Sequence, residues 1–356
     1  MSISPTSCSP SRVVSLLPSA TEIVCLLSAQ DRLVGRSHEC DWPTGLEHLP
    51  VLTSQKTVYD ASSPDASRRV DQQVRQALAD GDAASLYHLD TDRLRSLKPD
   101  LILTQDLCAV CSIDLNSVRG AARQVADQTG IEPVVISLNP DTFEAVFDDI
   151  LTIGAALGLR ERAEQVVVEL RERYYRASEF VTTFGPLQTV LFLEWTDPVF
   201  CASHWTPQLI ERAGGSHPLN PTMPVPGSGE GIGPQQAYRK AGHSVQVPIE
   251  AIQAIERQTE TGAGGWDRII ICPCGLTLDQ AAQETDNLLS QPWFTGLQAV
   301  QRGDFAIVDG NHIFNRPGPR LVDAYQWLVG WLNDRPELIP EGFPWRCGKT
   351  IRAGLA

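Results

Sequence analysis

The fold of this chain is decided by residues 140–181, which read PDTFEAVFDDILTIGAALGLRERAEQVVVELRERYYRASEFV. Asp141 and Glu144 form a capping-box pattern, in which each side chain can bond a free backbone N–H of a first helical turn. Apolar residues then recur at spacings of three and four, which predicts an amphipathic helix. Gly158 interrupts the pattern, and a second helix, roughly 30 Å long, is predicted over residues 160–180. We interpret this second helix as a rigid spine that joins two similar lobes.

Short apolar strands alternate with helices on both sides of this region. The predicted strands include residues 12–18, 33–35, 101–105, 133–137, 188–194, 267–271 and 305–308. Such alternation predicts an α/β fold with two similar lobes, each with a mainly parallel sheet. The predicted boundaries are 1–140 for the N-terminal lobe, 141–181 for the linking helices and 182–356 for the C-terminal lobe, which a helix over 320–332 closes. A weak internal repeat, PDLILTQDLCAVC at 99–111 and WDRIIICPC at 266–274, supports this division.

Composition restricts the partners and the compartment of the protein. The 356 residues suffice for two domains, and the net charge of −14 argues against nucleic acid. No stretch is long and apolar enough to predict a membrane span. The start MSISPTSCSPSR lacks the basic and apolar parts of a secretory signal, and nine cysteines do not resemble a disulfide framework. We therefore predict a cytoplasmic monomer, periplasmic only if the start is mis-assigned.

Reactive residue types gather after the predicted strands, where the ligand crevice of a parallel α/β sheet lies. In the N-terminal lobe the candidate ligand-binding residues are Pro18, Ser19, His38, Glu39, Trp42, Gln105 and Asp106. In the C-terminal lobe they are Trp195, His204, Trp205, His312, Phe314 and Arg316. If each lobe presents these residues toward the other, they line one cleft between the lobes.

Cysteines in the same loops could hold a metal. The candidates are Cys40, Cys108, Cys111, Cys201, Cys272 and Cys274. Two thiolates at the spacing of Cys108 and Cys111 can chelate one ion, and thiolates favour zinc or an iron–sulfur cluster. Free cysteine is also among the most buried residue types, so a place in the core is favoured for any one of these residues alone, and the two interpretations are balanced for the pair Cys108 and Cys111.

An enzymatic function has less support in the sequence. The chain has no nucleophile-elbow, P-loop or dinucleotide-binding motif, which argues against the enzymes that use them. A thiol–disulfide reductase that uses Cys108 and Cys111 remains open, because a helix start can lower the pKa of a nearby thiol. We expect a protein without enzymatic activity.

Six ordered motifs resemble those of cobalamin-binding-type periplasmic substrate-binding proteins. They are SLLPSATEIV at 15–24, GRSHECDWP at 35–43, TQDLCAVC at 104–111, EWTDPVFCASHW at 194–205, CPCGLTLDQA at 272–281 and NRPGPRLVDA at 315–324. The resemblance spans residues 12–332 and implies two α/β lobes linked by one long helix. It also implies a ligand between the lobes (cobalamin, an iron chelate, haem or a bare metal ion) that is presented to a membrane ABC transporter. Asp92 occupies the position of a carboxylate that docks on transporter arginines in this family.

We therefore expect a soluble protein that holds cobalamin or a related corrinoid between two lobes. Its partner would be an ABC transporter or a corrinoid-handling protein. The alternative is a metal or iron–sulfur protein that uses cysteine and histidine ligands in the same cleft.

Overall fold

The computed structural model describes residues 9–79, 86–106, 113–182, 185–225, 239–257 and 264–350. The chain divides into two compact units. The N-terminal unit comprises Met1–Val58, Gln73–Pro140 and Glu144–Leu170, and the C-terminal unit comprises Tyr59–Gln72, Asp141–Phe143 and Arg171–Ala356. The predicted lobe boundaries at 140 and 181 stay a prediction, and the assignment of Tyr59–Gln72 to the C-terminal unit is a feature that the sequence did not suggest.

The N-terminal unit is built on a four-stranded parallel sheet with the strand order β2-β1-β5-β6. The elements up to the linking region are β1 Val13–Ser15, α1 Pro18–Leu26, β2 Leu33–Arg36, β3 Thr53–Gln55, α2 Ala66–Ala79, β4 Tyr87–Leu89, α3 Thr91–Leu97, β5 Leu101–Thr104, α4 Leu115–Thr129, β6 Val134–Ser137 and α5 Phe143–Ala156. Strands β3 and β4 form a separate antiparallel pair. The apolar strands β1 and β5 are buried along their whole length, which explains their continuous apolar sequence.

The C-terminal unit is built on a seven-stranded mixed sheet. Its elements, with the linking helix first, are α6 Arg160–Ser178, β7 Gln188–Thr196, β8 Val199–Cys201, α7 Trp205–Arg212, β9 Gly215–Ser216, β10 Met223–Pro224, β11 Arg239–Lys240, β12 Val245–Gln246, α8 Ile249–Glu256, β13 Arg268–Ile271, α9 Leu278–Leu289, α10 Pro292–Thr295, α11 Gln298–Arg302, β14 Phe305–Val308, α12 Leu321–Leu332 and β15 Trp345–Cys347. Strands β7, β13 and β14 are parallel, and β8, β12 and β15 extend the sheet in antiparallel fashion.

The two units repeat one plan. The parallel strands β9, β7, β13 and β14 follow one another in the same way as β2, β1, β5 and β6. In each unit an aspartate before a central strand bonds the backbone of the neighbouring strand. Asp100 accepts from the N–H of Arg12 at 3.0 Å, and Asp267 accepts from the N–H of Thr189 at 2.7 Å. The α/β fold with two lobes and mainly parallel sheets is therefore confirmed.

The linking region consists of two helices, as the sequence predicted. Gly158 has a φ of +70°, a left-handed conformation that ends the first helix and that glycine adopts without strain. Helix α6 belongs to the N-terminal unit up to Leu170 and to the C-terminal unit from Arg171. Helix α5 begins at Phe143, and the capping box of Asp141 and Glu144 stays a prediction. The stiffness of α6 stays a prediction.

Among the described residues, none of the helices combines the length and the apolar character of a bilayer span.

Candidate functional site

His38 follows β2 and is the most constrained candidate of the N-terminal unit. Its backbone N–H donates to Oγ1 of Thr53 at 2.9 Å, and its Nδ1 lies 2.6 Å from the same oxygen. The ring packs against Tyr87 with centroids 5.4 Å apart. Burial lowers the pKa of His38, an effect that Glu39 opposes and Arg36 reinforces. The imidazole is therefore neutral at pH 7, and its Nε2 is buried with no hydrogen-bond partner among the described residues.

The residues after His38 have different environments. Glu39 accepts a hydrogen bond at 2.8 Å from the hydroxyl of Tyr87, whose ring also contacts His38. Cys40 is buried, and the hydroxyl of Thr21 donates to its sulfur at 2.9 Å. Trp42 is 43% exposed. The loop thus presents an imidazole, a carboxylate and an indole, whereas its thiol lies in the core.

The other candidates of this unit lie at the ends of β1 and β5. Pro18 and Ser19 form the first turn of α1, and Ser19 is buried. Gln105 and Asp106 follow β5, and the backbone N–H of Asp106 donates to Asn139 at 2.7 Å. Cys108 and Cys111 lie outside the described residues.

In the C-terminal unit, Trp195 contacts the segment Tyr59–Gln72. Its Nε1 donates to the backbone oxygen of Ser67 at 3.2 Å, and the hydroxyl of Ser67 lies 2.9 Å from that of Thr196. The carboxylate of Glu284, only 3% exposed, accepts from Thr196 at 2.7 Å and from the hydroxyl of Tyr59 at 2.8 Å. This network, together with an ion pair of 2.8 Å between Arg68 and Asp197, holds the segment on the C-terminal unit.

His204 and Trp205 lie at the start of α7. The indole N–H of Trp205 donates to the backbone oxygen of Phe314 at 2.5 Å, and the side chain is 5% exposed. The His204 ring stacks on Trp205 with centroids 5.5 Å apart and meets His243 edge-on at 5.0 Å. Burial and the neighbouring His243 lower the pKa of His204, and Asp141 opposes them. His204 therefore has a neutral ring at pH 7.

The three candidate cysteines of this unit are divided between the core and a half-buried turn. Cys201 and Cys272 are fully buried. Burial, followed by the charge of Glu194, raises the pKa of Cys201 to about 12, and burial with Asp309 raises that of Cys272 far above its usual value. Both residues are protonated thiols at neutral pH. Cys274 is half-buried, and its backbone N–H donates to the backbone carbonyl of Glu194 at 2.9 Å.

The three candidates after β14 make different contacts, and one of them contacts Asp309. The backbone N–H of His312 donates to Asp309 at 2.8 Å, and its Nδ1 lies 3.6 Å from the same carboxylate. Arg316 is buried and donates to Asn311 at 3.0 Å. Phe314 is buried with its ring against Phe192 and Trp327. The roles of these residues in ligand binding stay a prediction.

Sequence reasoning missed the residues that orient the candidates. Thr53 and Tyr87 support His38 and Glu39, and they belong to β3 and β4. The candidates of the C-terminal unit have comparable neighbours. The charge of Glu194 raises the pKa of Cys201, Asp309 accepts a hydrogen bond from the N–H of His312, and the ring of His243 contacts that of His204. Two of these neighbours could have been found from the sequence, because Glu194 lies at the end of one predicted strand and Asp309 directly after another.

Comparison with known proteins identifies the family. A family model described as periplasmic binding protein matches residues 13–311. An uncharacterized ABC transporter substrate-binding lipoprotein of Bacillus subtilis (strain 168) is 25% identical over 162 residues, which is 46% of this chain. The match spans only 39% of the length of that relative.

Solved structures share the fold at low sequence identity. A periplasmic heme binding protein from Pseudomonas aeruginosa superposes with a TM-score of 0.59 and 19% identity, covering 91% of this chain and 93% of that one. The periplasmic vitamin B12 binding protein BtuF of Vibrio cholerae gives a TM-score of 0.58 and 16% identity, covering 92% and 98%. These likenesses establish the two-lobed α/β fold, and the family model covers most of the chain. The protein is therefore a member of the periplasmic binding protein family, whose members bind ligands rather than catalyse reactions.

Proposed function

We propose that this protein binds a corrinoid as the substrate-binding component of an ABC transport system. Its family and the six motifs that resemble cobalamin-binding members support this proposal. Relatives with this fold include proteins named for vitamin B12 and for heme, both of which carry a metal in a macrocycle. A ligand of that kind needs a flat aromatic surface and a donor for its metal.

The observation that carries the proposal is the arrangement around His38. Its ring is neutral because burial lowers its pKa, and neutral imidazole is a good ligand for cobalt or iron. In the tautomer with the proton on Nδ1, that N–H donates to Thr53, and Nε2 keeps a lone pair. A buried polar atom without a partner is uncommon in proteins, and coordination of the ligand metal would satisfy this one. The exposed indole of Trp42 supplies aromatic surface in the same loop.

The cysteine-based alternative gains no support from the described residues. No group of three or more His, Cys, Asp or Glu side chains among them is arranged to hold a metal ion. A thiol must lose its proton to bind metal, and the raised pKa values of Cys201 and Cys272 keep these thiols protonated. We therefore do not propose a cysteine-ligated metal or iron–sulfur centre.

Titration with hydroxocobalamin, cyanocobalamin and hemin, followed by visible absorption, tests the ligand. We expect hydroxocobalamin to bind at micromolar concentration or below with a spectral shift, because its axial water can be displaced by Nε2. Cyanide blocks that position, so cyanocobalamin should bind without the same shift. In His38→Gln the hydroxocobalamin shift should disappear, and the affinity should fall about tenfold or more. His88→Gln, which changes an exposed histidine of the same unit, is the matched control.

Two outcomes would overturn this assignment. Binding of hemin but of neither corrinoid would make the ligand a haem. An unchanged hydroxocobalamin shift in His38→Gln would remove His38 as the metal ligand.

The transporter partner is proposed from two exposed carboxylates. Asp92 and Glu250 each occupy the second position of the helix that precedes a central parallel strand, α3 before β5 and α8 before β13. The Asp92 side chain is 84% exposed, and Glu250 is exposed as well. Carboxylates at equivalent places of two repeated units suit a partner that carries paired arginines.

Stimulation of a reconstituted cobalamin ABC transporter tests the partner. The ATPase activity should rise with the unaltered protein and rise several-fold less with Asp92→Lys combined with Glu250→Lys. Asp127→Lys, on an exposed position of α4, should behave like the unaltered protein. Equal stimulation by all three proteins would rule out this docking surface.

A further inference from the structure

His204 and His243 form a close imidazole pair in the C-terminal unit. Their ring centroids lie 5.0 Å apart with an interplanar angle of 82°. A zinc–nitrogen bond of about 2.0–2.1 Å places a metal about 3.2 Å from each ring centroid, so two adjacent imidazole ligands have centroids roughly 5 Å apart. The spacing of the pair therefore matches that of two histidines that share one metal ion.

The backbone on both sides of the pair is fixed by hydrogen bonds. The N–H of His204 donates to the carbonyl of Gly242 at 3.1 Å. The buried amide of Asn220 bridges the carbonyls of Ala202, at 2.8 Å, and His243, at 3.1 Å. Immediately beyond, β12 pairs with β8. Each imidazole is thus carried by a segment that is tied to the other, which is the preorganisation that a two-ligand site needs.

The conformation and surroundings of His204 favour a ligand role. Its φ of 52° and ψ of −116° lie in a sparsely populated region, and such strain in a non-glycine residue concentrates at functional sites. The stacking on Trp205 fixes the plane of the ring. The charged groups nearby, Asp141 and Lys240, are paired with each other at 2.6 Å.

We propose that His204 and His243 together bind a divalent transition metal ion such as zinc, nickel or cobalt, with water in the remaining coordination positions. The rest of the coordination sphere is left to solvent because the described residues bring no third His, Cys, Asp or Glu side chain to a common site. Two imidazoles suit borderline metals better than calcium or magnesium, which prefer oxygen ligands. The site uses a histidine, His243, that the sequence did not single out.

Titration with cobalt(II) chloride in the absence of corrinoid and haem tests the site. We expect one cobalt ion per chain, with visible bands of nitrogen and oxygen ligation that zinc removes by competition. His204→Asn and His243→Asn should each weaken binding by about tenfold or more. Asparagine tolerates a positive φ, so His204→Asn keeps the local backbone, and His243 is exposed, so its replacement leaves the core intact. The control His88→Asn should bind like the unaltered protein.

Three results of this titration would contradict the proposal. A strong thiolate-to-cobalt band would place the ion on cysteines and overturn it. Absence of cobalt binding, or equal binding by all four proteins, would overturn it too. The titration contains no corrinoid or haem, so its outcome does not depend on whether the proposed corrinoid binding is correct.

Discussion

The carboxylate of Asp267 fastens two neighbouring strands of the C-terminal unit. The N–H of Thr189 donates to its Oδ2 at 2.7 Å, and the N–H of Asp267 donates to the carbonyl of Thr189 at 2.9 Å. Asp267→Ala removes the charged acceptor and leaves the Thr189 N–H with water at best. Because a hydrogen bond to a charged group contributes about 1.5–3 kcal/mol, we expect a loss of that order in the free energy of unfolding. Urea denaturation followed by tryptophan fluorescence measures it.

The repeated plan supplies a second variant and a control for this prediction. Asp100 bonds the N–H groups of Ser11 and Arg12 in the N-terminal unit, so Asp100→Ala should cost a comparable amount. Asp286 is exposed on α9, and its replacement by alanine should change stability by less than about 0.5 kcal/mol. If Asp267→Ala were no more harmful than Asp286→Ala, the aspartate would not fasten the strands.

The limits of sequence reasoning at this scale are visible around His38. The histidine could be singled out because it follows a predicted strand at the ligand-binding edge of a parallel sheet. Its partners Thr53 and Tyr87 could not, because the pairing of β3 with β4 brings together residues more than 30 positions apart. His243 was missed for the same reason, since only the pairing of β12 with β8 brings it to His204.

Helices α5 and α6 pack closely where Gly154 meets Ala163. A Cβ added there would overlap with the Cβ of Ala163, so Gly154→Ala forces the two helices apart. Overpacking of this kind costs about 1–3 kcal/mol, which outweighs the helix propensity gained from alanine. We expect a lower midpoint of thermal unfolding for Gly154→Ala and recovery of most of the loss when Ala163→Gly is added, because the second change removes the colliding atom.

A matched glycine distinguishes packing from helix propensity. Gly120 lies within α4, and an added Cβ would meet nothing within 4 Å. Gly120→Ala should therefore stabilise the protein by about 0.5–1 kcal/mol. A stabilising Gly154→Ala, or no coupling between Gly154→Ala and Ala163→Gly, would contradict the close approach of the helices.

Predictability at the scale of elements follows the strength of the local pattern. The strand at 305–308 has the predicted bounds, because a buried strand carries its own hydrophobic signal. The segment Tyr59–Gln72 carries no such signal. Polar contacts with Glu284, Thr196 and Trp195 hold it on the C-terminal unit, and these contacts form only in the folded protein.

For the molecule as a whole, the sequence predicted two similar α/β lobes, and the internal repeat at 99–111 and 266–274 gave this prediction only weak support. The plan depends on buried apolar strands and on single fastening residues such as Asp100 and Asp267, which many sequences provide. The alternation of strands and helices sufficed to predict the class of fold. It could not predict which buried groups titrate, because burial depends on the complete tertiary structure.

The stability of the whole molecule should depend on pH through the buried His217 and the half-buried Asp149, which have opposite effects. His217 is buried, with Nδ1 at 2.9 Å from the carbonyl of Val190, and burial lowers its pKa to about 4. Between pH 4 and about pH 6.5 the unfolded chain binds more protons at this histidine than the folded protein does. The contribution of His217 to the free energy of unfolding is therefore complete above pH 6.5 and falls as the pH decreases toward 4. Burial followed by the charge of Asp148 raises the pKa of Asp149 to about 7. The contribution of Asp149 to the free energy of unfolding is complete below about pH 4 and is lost as the pH rises toward 7.

Substitutions at these two positions separate the contributions. In His217→Asn the amide can still donate to the carbonyl of Val190, but the side chain takes up no proton. The decrease in the free energy of unfolding between pH 6.5 and pH 4, up to about 3 kcal/mol in the unaltered protein, should therefore disappear. In Asp149→Asn the decrease in the free energy of unfolding from about pH 4 to pH 7 should disappear instead. The variant should therefore be more stable than the unaltered protein at pH 8. Urea midpoints across pH 4–8 measure both effects, with His88→Asn as the control that keeps the original profile. Because each group belongs to a different unit, the two substitutions should act additively. A profile unchanged by His217→Asn would mean that the imidazole becomes protonated in the folded protein as readily as in the unfolded chain.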